Sequence, residues 1–108
     1  MKLTERDQGK TIIVHPGDTI VIQLDENPTT GFTWEIQEED EHVLKRVNSE
    51  YTPPPEGTIG IGGVRLFTFE AKHVGTAQLE LKYWRSFVGD SSIMQRYDIT
   101  VRVEDRCI

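Results

Sequence analysis

Four stretches of this 108-residue chain place apolar side chains at every second position, and no segment carries a convincing helical period. In "TIVIQL", residues 19–24, the repeat selects Ile20, Ile22 and Leu24. In "FTWEIQ", residues 32–37, it selects Phe32, Trp34 and Ile36; in "TAQLELKYW", residues 76–84, it selects Ala77, Leu79, Leu81 and Tyr83. In "IMQRYDITVRVE", residues 93–104, it selects Tyr97, Ile99, Val101 and Val103. Successive side chains of a strand point to opposite faces, so each stretch has one face to bury and one for water.

Weaker strand signals fill the intervals. "TIIV" at 11–14 precedes the turn signal "HPGD", and "VLKRVNSEY" and "VRLFTFEA" flank the loop "TPPPEGTIGIGG". Seven or so short strands separated by Gly and Pro turns bury their apolar faces most simply as two packed antiparallel sheets. The expected fold is all-β, an immunoglobulin-like β-sandwich, in one domain spanning residues 1–108.

Bulk chemistry narrows the partners. Twelve Lys and Arg against eighteen Asp and Glu leave a net charge of −6 with no basic stripe, so no nucleic-acid partner is expected. The apolar runs are too short to span a membrane, and "MKLTERDQGK" lacks the apolar core of a signal peptide. No membrane partner is expected; export or a periplasmic location would follow if a leader had been removed. Cys107, one residue from the C-terminus, can form no internal disulfide and is given no role.

No catalytic residue, metal or cofactor is expected. His15, His42 and His73 sit beside turns or the acidic run "EEDEH", with no metal-ligand spacing and no paired nucleophile. The acids at 38–41 are adjacent instead of alternating with glycine, which suits a solvated connection better than a calcium loop.

Three loops stand out, at 25–32, 53–63 and 85–92. In a sandwich whose strands run up and down, they can gather at one end. In "NPTTGF", Pro28 restricts the backbone and Gly31 can take a positive φ, yet Thr29 and Thr30 are poor choices for a tight turn. "GIGG" at 60–63 is followed by a strand and not a helix, which excludes a phosphate cradle. Its glycines permit close backbone approach, with Ile59 and Ile61 as apolar side chains to offer a partner. Trp84 falls on the polar-face phase of its strand, and Arg85 and Phe87 follow; such residues are common in binding hot spots.

Taken together these motifs resemble the chagasin-like inhibitors of papain-family cysteine peptidases, the ICP family. The family's NPTTG-aromatic motif stands here as Asn27, Pro28, Thr29, Thr30, Gly31 and Phe32. Its GxGG stands as Gly60, Ile61, Gly62 and Gly63, and its Arg-Pro-aromatic falls at Arg85, Ser86 and Phe87. The resemblance implies a wedge of three loops that enters the peptidase cleft. Thr29 would lie over the catalytic pair, the GIGG loop with Ile59 or Ile61 would run along the non-primed side, and Arg85 with an aromatic would reach the opposite side. Ser86 replaces the family's proline, which predicts a less rigid third loop that Trp84 could assist. A reversible inhibitor, monomeric and without chemistry of its own, is the leading expectation. An immunoglobulin-like adhesion or ligand-binding module using the same loops is the alternative.

Overall fold

The computed structural model describes residues 1–26, 31–38, 41–53 and 62–105. The candidate residues Asn27, Pro28, Thr29, Thr30, Ile59, Gly60 and Ile61 lie outside this range, as does Cys107. The strands are β1 (Lys2–Leu3), β2 (Thr11–Val14), β3 (Thr19–Glu26), β4 (Thr33–Glu38), β5 (Leu44–Thr52), β6 (Gly63–Ala71), β7 (Gly75–Trp84) and β8 (Gln95–Val103). Two short 3-10 turns, Glu5–Asp7 and Asp90–Ser92, are the helical elements among the described residues.

The strands form two four-stranded sheets, ordered β1-β3-β6-β5 and β2-β8-β7-β4. The alternating residues of each sheet meet between them. Ile20, Ile22 and Leu24 of β3 and Phe67, Phe69 and Ala71 of β6 are buried, as are Ala77, Leu79 and Leu81 of β7 and Tyr97, Ile99, Val101 and Val103 of β8. Each fully buried aliphatic or aromatic side chain contributes roughly 1.5–3 kcal/mol, so this interlayer is the main source of stability.

Among the described residues eight strands stand where about seven were expected, because two-residue β1 has too short a pattern to register. Antiparallel pairing holds for β3–β6, β5–β6, β4–β7 and β7–β8, whereas β1 pairs with β3 and β2 with β8 in parallel. The N-terminal chain lays β1 on one sheet and then β2 on the other, and a parallel neighbour requires such a long crossover in place of a hairpin. The edge strand β5 is mostly exposed, and a register irregularity between Arg46 and Asn48 interrupts its pairing with β6. A bulged edge carrying Lys45, Arg46 and Glu50 resists pairing with another chain.

Candidate functional site

Strand register brings the three singled-out segments to one end. Glu26, the last residue of β3, pairs with Gly63, the first of β6, and Thr52, the last of β5, pairs with Val64. In the opposite sheet Thr33 of β4 pairs with Trp84 of β7, and Tyr83 with Gln95 of β8. The segments 27–32, 53–62 and 85–94 are therefore rooted side by side. The first begins later than expected, since Asp25 and Glu26 belong to β3, and the third extends to Met94.

The root of the first segment is held from within. Glu26 continues the inward phase of Ile20, Ile22 and Leu24 and is 1% exposed. Its Oε1 accepts the Trp34 backbone N–H at 2.7 Å, and its Oε2 accepts Arg65 Nη2 at 2.7 Å and Nε at 3.2 Å. A buried carboxylate is tolerated only when paired and hydrogen-bonded in this way. The Trp34 indole donates to the Asp25 carbonyl at 2.8 Å, closing the same root a second time. Trp34, Tyr83 and Phe32 form a run of aromatic contacts, with ring centroids 5.0 Å and then 5.4 Å apart. Gly31 has φ +83°, the left-handed conformation that favours glycine.

At the root of the second segment, the Gly63 N–H donates to Tyr51 Oη at 3.2 Å. The Arg65 guanidinium carbon lies 5.7 Å from the centre of the Tyr51 ring. A Cβ at Gly63 would overlap the Thr52 carbonyl oxygen and come within 2.7 Å of Tyr51 Oη, so glycine is required there by close approach.

The third segment is tied to itself and to the first. Ser92 Oγ accepts the Arg85 N–H at 3.0 Å and lies 2.9 Å and 2.6 Å from the Arg85 and Gly89 carbonyl oxygens, to one of which it donates. The Val88 and Gly89 amides donate to the Arg85 carbonyl at 3.0 and 3.1 Å. These bonds supply constraint where Ser86 had predicted less rigidity. Arg85 covers the Phe32 ring, and the Phe87 ring edges so close to Gly31 that a Cβ there would stand 3.3 Å from Phe87 Cε1. Phe87 remains 77% exposed, and Val88 and Met94 on the same segment are exposed as well. Apolar side chains shown to water on one loop make this end a candidate interaction surface.

Trp84 stands apart from this contact. It lies on the outer face of β7, where its indole donates to Glu35 Oε2 at 2.8 Å and its ring covers Lys82 Nζ at 3.4 Å. Sequence reasoning missed Glu26, Arg65, Tyr51 and Ser92. For Glu26 a signal existed, a carboxylate in the core phase directly before "NPTTG"; Arg65 and Tyr51 act on partners 39 and 12 residues away, and Ser92 acts within its own loop, on Arg85 and Gly89.

Elsewhere His15 Nδ1 lies 2.8 Å from the Glu104 carbonyl oxygen, and the His42 and His73 rings stack with centroids 5.1 Å apart. Among the described residues no group of three His, Cys, Asp or Glu side chains is arranged to hold a metal ion, and no helix is long and apolar enough to cross a membrane.

An immunoglobulin-like sandwich that presents three segments from one end defines a class of protein built to dock on a partner. The family model described as Chagasin family peptidase inhibitor I42 matches residues 13–101. Chagasin from Trypanosoma cruzi is 32% identical over 105 residues, covering 94% of this chain and 96% of that protein. The cysteine protease inhibitor EhICP2 from Entamoeba histolytica superimposes with a TM-score of 0.86 at 25% identity, over 95% of this chain and 94% of that one. PbICP-C, solved in complex with falcipain-2, shares the fold with a TM-score of 0.60 at 16% identity, over 96% of this chain and 90% of that one. The chain belongs to the chagasin family of peptidase inhibitors. Its relatives are inhibitors and not enzymes, and nothing favours the adhesion-module alternative.

Proposed function

We propose that this chain is a reversible inhibitor of papain-family cysteine peptidases, that residues 1–108 act as one inhibitor domain, and that its three-segment end occludes the peptidase cleft. The observation that carries the reading is the shared root of the three segments, with Arg85 and Phe87 packed against Phe32 and Gly31 and Phe87 left open to solvent. The contact residues would be Asn27, Pro28, Thr29, Thr30, Gly31 and Phe32 from the first segment. Ile59, Gly60, Ile61, Gly62 and Gly63 would follow from the second, and Trp84, Arg85 and Phe87 from the third.

Inhibition without cleavage follows from geometry. A peptidase cuts a peptide held as a near-attack conformer, with its carbonyl aligned to the thiolate. A segment tethered at both ends by its own scaffold can fill the cleft without offering that alignment. Fixed roots also lower the entropy lost on binding, which strengthens the complex by preorganisation.

The test is to titrate the protein against papain and a cathepsin while following hydrolysis of a peptide substrate. The expected result is loss of activity that saturates near one inhibitor per enzyme and reverses on dilution. Full activity of several such enzymes in about 1 µM excess of the protein would refute the reading.

A further inference from the structure

We propose that the Glu26 carboxylate, with Arg65, is a positioning device that couples the first and second segments into one unit, an inference that rests on the inhibitor reading above. The chain positions that flank the two segments are linked through this pair. Glu26 and Trp34 bracket the first, and the carboxylate accepts the Trp34 N–H at 2.7 Å. Tyr51 and Gly63 bracket the second: Arg65 lies over the Tyr51 ring, and Tyr51 Oη accepts the Gly63 N–H. Arg65 joins the halves, since its Nη2 and Nε both reach Glu26 Oε2, at 2.7 and 3.2 Å.

The arrangement also crosses the sandwich. Glu26 and Arg65 stand on β3 and β6 of one sheet, whereas Trp34 stands on β4 of the other. One carboxylate therefore sets both the gap between the ends of the first segment and its offset from the second. In the interior of β3 the same inward phase is filled by Ile20, Ile22 and Leu24, and an apolar residue at position 26 would continue the core. Buried ion pairs can often be replaced by apolar residues of similar volume without loss of stability, so stability alone gives weak reason for charge here. What an apolar residue cannot supply is a directional hold on three strands. Two segments held by one group should bind as a unit, and a loosened hold lowers the population competent to bind, and with it the association rate.

The test compares wild type with Glu26→Gln/Arg65→Met, which keeps an acceptor for the Trp34 N–H and strands no charge. The expected variant is folded, with a thermal midpoint near that of wild type, yet its inhibition constant for papain rises roughly tenfold or more, mainly through slower association. In the free variant the Gly63 amide, which donates to Tyr51 Oη and to neither substituted side chain, should exchange with solvent faster. An unchanged inhibition constant together with unchanged Gly63 exchange would overturn the proposal. Should the double variant fail to fold, Arg65→Lys decides, since it keeps the charge but loses the forked hold. Weaker inhibition at an unchanged thermal midpoint supports the device, and unchanged inhibition overturns it. If wild type itself leaves papain active, the inhibitor reading falls, and Gly63 exchange alone then judges the coupling: faster exchange in the variant supports it and equal exchange refutes it.

Discussion

The guanidinium carbon of Arg85 lies 4.6 Å from the centre of the Phe32 ring, which fastens the third segment to the first by a contact between residues 53 positions apart. Phe32 in turn tilts against Tyr83, and Tyr83 stacks on buried Trp34. An arginine over an aromatic face is worth about 0.5–1 kcal/mol where exposed and more where desolvated. The contact thus holds two segments in mutual position at modest energetic weight, and the covalent roots in β4 and β7 do the rest.

Phe87 of the third segment and Trp84 at its root in β7 should separate in their effects. Phe87 is the more exposed, and its removal leaves the core intact, so Phe87→Ala should change stability by less than about 0.5 kcal/mol. As a hot-spot anchor it should weaken inhibition by about 2 kcal/mol, roughly 30-fold. Trp84 is engaged with Glu35 and Lys82, so Trp84→Ala should cost about 1 kcal/mol of stability and lower the thermal midpoint by about 4–8 °C, with the smaller effect on inhibition. Thermal melts and inhibition constants for both variants check this. A larger inhibitory loss from Trp84→Ala would assign the contact to the indole.

At the first two segments, bulk should harm binding and spare the fold. Thr29→Trp and Gly62→Glu each place a large side chain where the proposed wedge meets the cleft wall. Each should weaken inhibition of papain at least about tenfold, by steric exclusion of the partner. Circular dichroism and thermal melts should match wild type. Undiminished inhibition by both variants would mean that other residues form the contact.

The faces of β3, β7 and β8 were legible because a two-residue period has only one solution once an apolar face must be buried. Tyr97, Ile99, Val101 and Val103 all lie inside, as their alternation requires. The grouping of the three segments was legible for a related reason, since alternating strand directions return every second connection to the same end. What escaped was non-local. β2 lies beside β8, nearly ninety residues away, and nothing within "TIIV" specifies a parallel neighbour. Ser92 escaped for a different reason: its partners Arg85 and Gly89 are only seven and three residues away, yet nothing in "RSFVGDSS" says which serine closes the loop. Glu26 was readable in part: its phase said buried and its charge demanded a partner, but only the fold identifies Arg65.

Gly63 and Gly31 should fail differently when given a side chain. At Gly63 the obstacle is backbone, because the new Cβ would overlap the Thr52 carbonyl oxygen and crowd Tyr51 Oη. Gly63→Ala must therefore displace β6 from β5, a loss of about 1–3 kcal/mol visible as a lowered thermal midpoint. At Gly31 the obstacle is conformational: φ is +83°, and the nearest atoms of Phe87 belong to an exposed ring that can move. Gly31→Ala should cost about 1–2 kcal/mol, the penalty of a left-handed alanine, and should shift the Phe87 ring. Melts combined with the aromatic side-chain NMR signals of Phe87 would separate the two cases.

Acid should act on two N-terminal carboxylates with opposite sign. Asp7 accepts the Thr4 N–H at 2.9 Å and pairs with Lys10, and these bonds hold its carboxyl below the usual value of 3.8. Its contribution is fully present above 3.8 and is lost as pH falls through its lower folded-state value. Asp25 is raised instead, first by burial and then by the nearby charge of Glu5. Its ionisation opposes folding at neutral pH, and that opposition fades as pH falls through its raised folded-state value. Glu5→Gln keeps an oxygen for the Asp25 N–H, which Glu5 Oε1 accepts at 2.7 Å, while removing the repulsion. This substitution should raise the thermal midpoint at pH 7 and leave it unchanged well below pH 3.8, where Asp25 is protonated and the repulsion is gone. Asp7→Asn should do the reverse at pH 7, lowering the midpoint, with the difference vanishing in acid. Midpoints measured across the acid range for the three proteins would show curves converging from opposite sides, and parallel curves would refute the assignment.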